Sequence, residues 1–210
     1  MKKTALLIDA GWFAKNLATK FTPKVDWPSA EQIRRNAIAA LAKDEEIFRI
    51  FYYDCEPSSD PITNPIDKVT KNYAAEPPHS TRMQVFRQLG QMDYVALRRG
   101  DLMFRDWEVT EKYKKALLKG TVSPLTASDI RPDFRQKGVD MRIGIDVASL
   151  SLRRLVERII LFSADTDMIP AMKLARREGV QVFVVKLGSS GPNRALLENA
   201  DGVRRVTPTA

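Results

Sequence analysis

Cysteine and histidine are almost absent from this sequence of 210 residues, which contains one of each, Cys55 and His79. A single cysteine cannot form an internal disulfide, and thiolate zinc sites need more than one cysteine. A single histidine excludes every mechanism that needs two imidazoles and every metal site built from a histidine cluster. Any catalysis must therefore use carboxylates, lysines or hydroxyl groups, and a reducing compartment fits the cysteine content best.

Long apolar runs are also missing. The run at residues 5–8 ends at Asp9, which leaves it shorter than the ~7–15 residues of a signal-peptide core. No later run approaches the ~18 apolar residues of a membrane span, so we expect a cytoplasmic protein without a membrane segment. The hydrophobic share of 44% and the charged share of 29% are typical of a globular chain, and the length predicts one domain over residues 1–210.

Basic residues outnumber acidic ones. The chain has 34 lysines and arginines against 26 aspartates and glutamates, which gives a net charge of +8. A surplus of this size favours polyanionic partners, with nucleic acid ahead of an anionic membrane surface. The alternative is a basic protein surface that has no such partner.

Short apolar segments alternate with amphipathic ones along the chain. Strands are predicted at residues 5–8, 47–53, 94–98, 158–162 and 180–185, and 102–109 either continues or pairs with the third of them. Helices are predicted at residues 12–17, 29–43, 66–73, 81–91, 110–119, 139–154, 168–177 and 196–199, with a loop between 119 and 137. This alternation predicts an α/β fold with a mainly parallel sheet and helices on both faces.

Three aspartates follow predicted strands. Asp9 comes after the first strand, and Asp165 and Asp167 come after the strand at 158–162. The carboxyl ends of neighbouring parallel strands meet at a common crevice, where collected carboxylates repel one another unless a cation lies among them. Oxygen ligands of this kind suit Mg²⁺ or Mn²⁺. The alternative is that these aspartates, and Asp140, only cap helices, and that Asp146 lies on the polar face of its helix.

At this point the sequence resembles a known family, the NYN domain, including its bacterial LabA-like branch, within the PIN-like nuclease superfamily. The resemblance is carried, in the family's order, by residues 8–11, 53–54, 137–140 with Asp146, and 163–170. Ala164 and Met168 replace the usual glycine and phenylalanine, and the family's D-G-x-N is D-A-G-W here. The resemblance implies a PIN-like three-layer α/β/α fold and a metal-dependent ribonuclease activity. It leaves residues 56–136 as a variable insertion that sets substrate choice.

The resemblance also implies a metal-binding set. Asp9 matches the acid after the first strand, and Asp140 matches the acid of the family's K-G-V-D. Asp165 and Asp167 match the two acids of the last motif, and these four are expected to be catalytic and to bind Mg²⁺ or Mn²⁺. Asp146 matches an acid further along the K-G-V-D helix and is expected to be a fifth metal ligand. One or two such ions would activate water and stabilise the charge that builds on the phosphate.

RNA, single-stranded or structured, is the substrate that the resemblance implies. Its phosphates would be held by basic side chains, for which the candidates are Arg98, Arg99, Lys112, Lys114, Lys115, Arg142, Arg153 and Arg154. The sequence leaves open whether the chain forms a homo-oligomer.

Two other functions remain open from the sequence. A Toprim-like or phosphatase-like Mg²⁺-dependent phosphotransfer domain could also use Asp165 and Asp167, although Toprim has a glutamate after its first strand and phosphatases carry the D-x-D there. A non-catalytic RNA-binding or scaffolding member of the same fold would keep the acids without turnover.

Overall fold

The computed structural model describes residues 1–121 and 123–209; Val122, in the predicted loop, and Ala210 lie outside the described residues. The strands are β1 (Lys2–Asp9), β2 (Glu45–Cys55), β3 (Pro61–Thr63), β4 (Thr70–Asn72), β5 (Val95–Val109), β6 (Ile130–Lys137), β7 (Arg158–Phe162), β8 (Gln181–Leu187) and β9 (Gly202–Val206). The helices are α1 (Ala10–Ala18), α2 (Ala30–Ile38), α3 (Pro77–Gln91), α4 (Glu111–Leu118), α5 (Val139–Leu152), α6 (Ile169–Arg177) and α7 (Arg194–Glu198).

Seven strands form the central sheet in the order β6-β5-β2-β1-β7-β8-β9. All neighbours in it are parallel except β6, which runs antiparallel to β5 and forms one edge. The central strand β1 has Leu6, Leu7 and Ile8 fully buried. Consecutive buried residues are expected where helices cover a parallel sheet on both faces. The predicted α/β fold with a mainly parallel sheet is confirmed.

Helices cover the sheet on both faces and give the molecule two hydrophobic cores. On one face, Ile143 of α5 and Met172 of α6 pack against the sheet. On the other face, Phe13 of α1, Ile33 of α2 and Leu89 of α3 do the same. The result is a three-layer α/β/α arrangement, as expected.

Two predicted helices differ from the structure. The capping box of Ser29 and Gln32 opens α2 as expected, but α2 ends at Ile38 and the chain turns into β2. The helix expected at residues 66–73 is wrong, because β4 pairs there with β3 in an antiparallel hairpin. The side chains of Asn64 and Asp67 accept hydrogen bonds from backbone N–H groups two residues further on, which favours turns over a helix.

The loop expected between residues 119 and 137 is partly wrong as well, because it contains β6. Pro132 is compatible with β6 because this strand lies at the sheet edge, where a residue without an N–H costs no ladder hydrogen bond. Strand β9 at the other edge was not predicted.

One long strand, β5, changes partner in its middle. Residues up to Gly100 pair with β2, and residues from Asp101 onward pair with β6. A Cβ at Gly100 would lie 2.8 Å from the backbone oxygen of Lys137 and 2.9 Å from the Cys55 sulfur, so only glycine fits without displacement. We call residues 101–137 the arm; it extends β5 beyond the carboxyl ends of the parallel strands, beside the residues that follow β1 and β7.

Candidate active site

Asp9 and Asp165 are joined through one buried serine at the ends of two adjacent strands. Asp9 is the last residue of β1, and Ser163 follows β7 directly. The Ser163 hydroxyl donates a hydrogen bond to Oδ2 of Asp9 at 3.1 Å and accepts one from the Asp165 backbone N–H at 3.1 Å. Because Ser163 is fully buried, it fixes the position of the two acids relative to each other.

Asp140 approaches these acids from a helix. It lies in the first turn of α5, where Gly138 is the N-cap residue and has a positive φ of 79°. The pKa of Asp140 is raised by burial and further by the charges of Asp165 and Asp167. Burial also raises the pKa of Asp9, against lowering hydrogen bonds from Ser163 and Trp12, and the charge of Asp140 adds to the increase. These acids therefore interact electrostatically.

The carboxylates of Asp9, Asp140 and Asp165 line one open cavity of about 560 Å³, which we call the acidic pocket. Three separate parts of the chain supply them: β1, α5 and the segment after β7. The other lining residues are Gly11, Trp12, Lys15, Gln136, Val139, Ala164 and Thr166. Asp167 is not a lining residue; its backbone N–H donates to Oδ1 of Asp165 at 2.9 Å.

The helix-capping role of two of these acids is also present. Oδ1 of Asp9 accepts a hydrogen bond from the Trp12 backbone N–H at 3.3 Å and caps α1. Asp165 caps the short 3₁₀ turn at Thr166–Met168. Asp140 is different, because the N-cap position of α5 is occupied by Gly138 and no side-chain cap is made there. Capping thus explains the positions of Asp9 and Asp165 but gives no reason for Asp140 to face them.

The donor set fits a hard divalent cation that keeps water ligands. Among the described residues, no three histidine, cysteine, aspartate or glutamate side chains lie close enough to hold a metal ion by themselves. Mg²⁺, however, usually retains several waters and binds through one or two carboxylates plus substrate phosphate. The charges of Asp165 and Asp167 raise the pKa of Asp140, and a cation bound at this open pocket would relieve that repulsion.

Asp146 lies elsewhere, and the expectation that it joins the metal ligands is not met. Its Oδ2 is 2.7 Å from Nε of Arg98 and accepts a hydrogen bond from the Tyr53 hydroxyl at 2.8 Å. It lies six positions after Asp140 on α5, which corresponds to about 9 Å along the axis and a different helix face. Burial and then the charge of Asp146 raise the pKa of Tyr53. Asp146 therefore anchors α5 to β2 and β5.

Several residues predicted to bind RNA are engaged in contacts within the protein. Arg98 pairs with Asp146 and its guanidinium lies 4.9 Å from the Phe51 ring centre. Arg99 pairs with Glu56 at 2.6 Å. Arg142 donates to the backbone oxygen of Gly138 at 3.2 Å.

The remaining predicted basic residues lie in two different places. Lys112, Lys114 and Lys115 are on α4, in the arm, and Lys114 pairs with Glu111. Arg153 and Arg154 follow the last residue of α5, and this helix of 14 residues is about 20 Å long. They are therefore about one helix length from Asp140.

Two pocket residues were missed from the sequence, Lys15 and Gln136. Lys15 lies three residues after Trp12 on α1, so its helix spacing could have placed it at the acidic pocket. Gln136 was hidden because its strand was predicted as loop. Its side-chain NH₂ lies 3.4 Å from Oδ1 of Asp54, a buried acid whose pKa burial raises and the charge of Arg82 lowers.

A family model matches much of the chain. The NYN domain model matches residues 94–206, which is more than half of the chain and includes Gln136, Asp140, Asp165 and Asp167. The chain belongs to the NYN domain family. Membership gives it the nuclease-like fold of the PIN superfamily. The match is to the NYN domain as a whole, and assignment to the LabA-like branch stays a prediction.

A solved structure shares the fold of this NYN protein. A crystal structure of a protein of unknown function from Vibrio parahaemolyticus RIMD 2210633 is similar over 98% of this chain and 93% of that chain, with a TM-score of 0.52 and 16% sequence identity. At this identity the likeness concerns the fold alone. No curated protein matches the chain. Within residues 1–121 and 123–209, no helix has the length and apolar character needed to cross a membrane.

Proposed function

We propose that this NYN domain is a metal-dependent ribonuclease that hydrolyses phosphodiester bonds at the acidic pocket. The observation that carries the proposal is the meeting of Asp9, Asp140 and Asp165 from three separate elements at one polar cavity. The charge of Asp140 adds to the raised pKa of Asp9, and the charges of Asp165 and Asp167 add to the raised pKa of Asp140; this repulsion opposes folding unless a cation is present. Helix capping accounts for Asp9 and Asp165 but gives no reason for Asp140 to face them.

A Mg²⁺ or Mn²⁺ ion bound at the acidic pocket by one or two of the carboxylates of Asp9, Asp140 and Asp165, together with waters, would supply an activated water and neutralise charge on the scissile phosphate. Asp167 would contribute through its charge on Asp140. Ser163 holds Asp9 through Oδ2 and so fixes the direction of this carboxylate. Lys15 brings a positive charge to the same pocket, where it can attract the non-bridging oxygens of a phosphate. The Gln136 amide can donate a hydrogen bond to the substrate from the arm side.

RNA is the proposed substrate, because the family fold is nuclease-like and the net charge of +8 attracts a polyanion. The position of the arm beside the acidic pocket supports the proposal that the variable region 56–136 selects the substrate. We also propose a cytoplasmic location, because the buried Cys55 is free and the protein needs no oxidising compartment to form a disulfide.

One observation favours a second candidate, an RNA-binding protein that does not cleave. Asp9 and Asp165 act as helix caps, and no three-residue metal group exists among the described side chains. Such a protein would bind RNA with the same basic surface but show no turnover. The family match gives no support to a Toprim-like domain.

The test combines cleavage and metal binding. Single-stranded RNA is incubated with wild type, Asp9→Asn and Asp165→Asn in Mg²⁺, Mn²⁺ or EDTA, and Mn²⁺ binding is measured separately by electron paramagnetic resonance. We expect wild type to cleave only with metal, and each variant to lose at least about a hundredfold in rate, since metal catalysis supplies several kcal/mol. Mn²⁺ affinity should fall in parallel.

Asp93→Asn is the matched control, because Asp93 is an exposed acid in the turn before β5, at the opposite end of the sheet. It should behave as wild type. Variants that cleave as fast as wild type would refute the metal-nuclease proposal. A wild type that binds RNA and cleaves with neither metal would establish the non-catalytic candidate.

A further inference from the structure

A second cavity lies next to the acidic pocket and has a different character. It measures about 290 Å³, at the small end of ligand-binding pockets. Half of its lining residues are apolar or aromatic and half are polar or charged, and the residues used below are Lys71, Tyr73, Glu76, His79, Arg82 and Phe134. We call it the aromatic pocket.

Aromatic rings form its wall outside the two hydrophobic cores. The Tyr73 and Phe134 rings pack edge to face, with centroids 5.2 Å apart, and Phe104 packs against Phe134 at 6.0 Å. Phe104 is 38% exposed. None of the three rings belongs to either core. Rings held together at the surface, without a role in the main cores, indicate a binding surface.

The strand β6 connects the two pockets. Phe134 and Gln136 are two residues apart on this strand and therefore point to the same face. Phe134 lines the aromatic pocket, and Gln136 lines the acidic pocket. The spacing along the strand is about 7 Å, close to the rise of two stacked nucleotides.

Arg82 provides a second connection. Its Nη2 donates to both carboxylate oxygens of Asp54, at 2.9 and 3.0 Å, and its guanidinium lies 4.5 Å from the ring centre of Trp27. Its Nε is buried and has no hydrogen-bond partner among the described residues. Arg82 is therefore held rigidly at the aromatic pocket by its pairing with Asp54, and its buried Nε donor is unused.

Two cations lie next to the rings, and each is paired with an acid. Lys71 lies 5.3 Å from the ring centre of Tyr73, is half exposed and pairs with Glu76, another lining residue, at 3.0 Å. Arg82 pairs with Asp54 at 2.9 Å. Aromatic rings with adjacent lysine or arginine are the usual means of binding single strands, in which bases stack on the rings and phosphates meet the cations. Bases stacked inside a duplex are not available for such a pocket.

We propose that the aromatic pocket binds one unpaired nucleobase of an RNA, so that the RNA presented to the acidic pocket is single-stranded or has a nucleotide flipped out of its helix. The choice of RNA as ligand rests on the proposed function. The binding itself does not depend on cleavage.

The test measures binding in EDTA, which separates it from catalysis. Fluorescence anisotropy follows a single-stranded RNA of about 12 nucleotides, an equivalent duplex, and single strands with one abasic nucleotide moved along the sequence. Phe134→Leu keeps an apolar side chain and removes the ring. Because one stacked base contributes about 1–3 kcal/mol, its affinity for the single strand should fall about 5- to 150-fold.

Wild type should lose a similar factor at one abasic position, and Phe134→Leu should not distinguish that RNA from the intact strand. The matched control is Phe48→Leu, a partly buried phenylalanine in the amino half of β2, away from both pockets. It should bind like wild type, and melting temperatures of both variants check folding.

Equal affinity of Phe134→Leu and wild type for every RNA would overturn the proposal. The proposal would also be overturned if Phe134→Leu lost equal affinity for the duplex and the single strand. The same holds if the NMR signals of His79 shifted on addition of an aromatic peptide and not on addition of a nucleotide. If wild type fails to cleave RNA but the binding differences hold, the ribonuclease proposal fails and this one stands.

Discussion

The strands that carry the acids and the arm beside them are built differently. In β1 and β7, the residues at the centre of each strand are completely buried between two helical layers. In the arm, Met103 is 47% exposed and Leu118 is 87% exposed, and β5 there pairs only with β6. The acids at the ends of β1 and β7 are therefore fixed by the hydrophobic cores, whereas one wall of the acidic pocket depends on the weakly packed arm.

Phenylalanine substitutions in the two regions should give the largest difference. Phe162 in β7 is fully buried and packs edge to face on Phe13, with centroids 5.0 Å apart. We expect Phe162→Ala to lower the free energy of unfolding by about 3–5 kcal/mol. Phe104→Ala in the arm should cost less than about 1.5 kcal/mol, since much of the ring is exposed. Urea unfolding measures both, and similar losses would mean that the arm is part of the core.

Glycine-to-alanine substitutions should change the free energy of unfolding in opposite directions at the junction of the two regions and inside α5. Gly100→Ala would push Lys137 and Cys55 apart and is expected to cost about 1–3 kcal/mol of unfolding free energy. Gly144→Ala, inside α5, meets nothing within 4 Å and should stabilise the protein by about 0.5–1 kcal/mol. A neutral result for Gly100→Ala in thermal and urea unfolding would show that the arm can move away freely.

Removing one acid should alter stability only slightly, and in a pH-dependent manner. Burial raises the pKa of Asp9 above its ordinary value of 3.8, so the folded state binds this proton more tightly than the unfolded state. The contribution of Asp9 to the stability of wild type is therefore lost as the pH rises from 3.8 through the raised pKa, and Asp9→Asn lacks this contribution and its loss. In EDTA at neutral pH the variant should be as stable as wild type or slightly more stable. Urea titrations at about pH 3 and about pH 7 test this, and a variant that is less stable only at neutral pH would contradict it.

The smallest effects, on the salt dependence of RNA affinity, are expected from replacing pairs of basic residues. Replacing Lys112 and Lys115 on the arm by glutamine should reduce the slope of RNA affinity against salt by about 0.7 for each phosphate that the variant no longer binds. Replacing Arg153 and Arg154, beyond the far end of α5, should leave the slope unchanged. Equal slopes for both double variants and wild type would mean that neither group binds the RNA.

The sequence was informative where burial is continuous. The segments that became β1, β7 and β8 are apolar runs bounded by polar residues, a pattern that follows from a parallel sheet covered on both faces. Asp9, Asp165 and Asp167 could be placed from the ends of these strands. The spacing of apolar residues placed Asp140 at the start of a helix, and the family resemblance supplied the metal-binding role expected of it.

The arm was poorly predicted for a physical reason. Strand β6 has only Ile130 and Phe134 as apolar residues besides Pro132, so its conformation is set by pairing with β5 and not by its own pattern. Gln136 was missed with it. Asp146 was expected among the metal ligands because the motif match took no account of helix faces. Six positions along a helix place its side chain on a different face from that of Asp140.

The pairing of β5 residues beyond Gly100 with a single neighbour also bears on local unfolding. Backbone amides of the arm beyond Leu102 should exchange with deuterium faster than those of β1, since a ribbon with so few contacts to the main cores opens at lower free energy than the whole domain. At moderate urea concentrations, Gln136 and Phe134 would then leave their places while Asp9, Ser163 and Asp165 stay fixed. In that range of conditions, selectivity for the RNA would disappear before the domain itself unfolds.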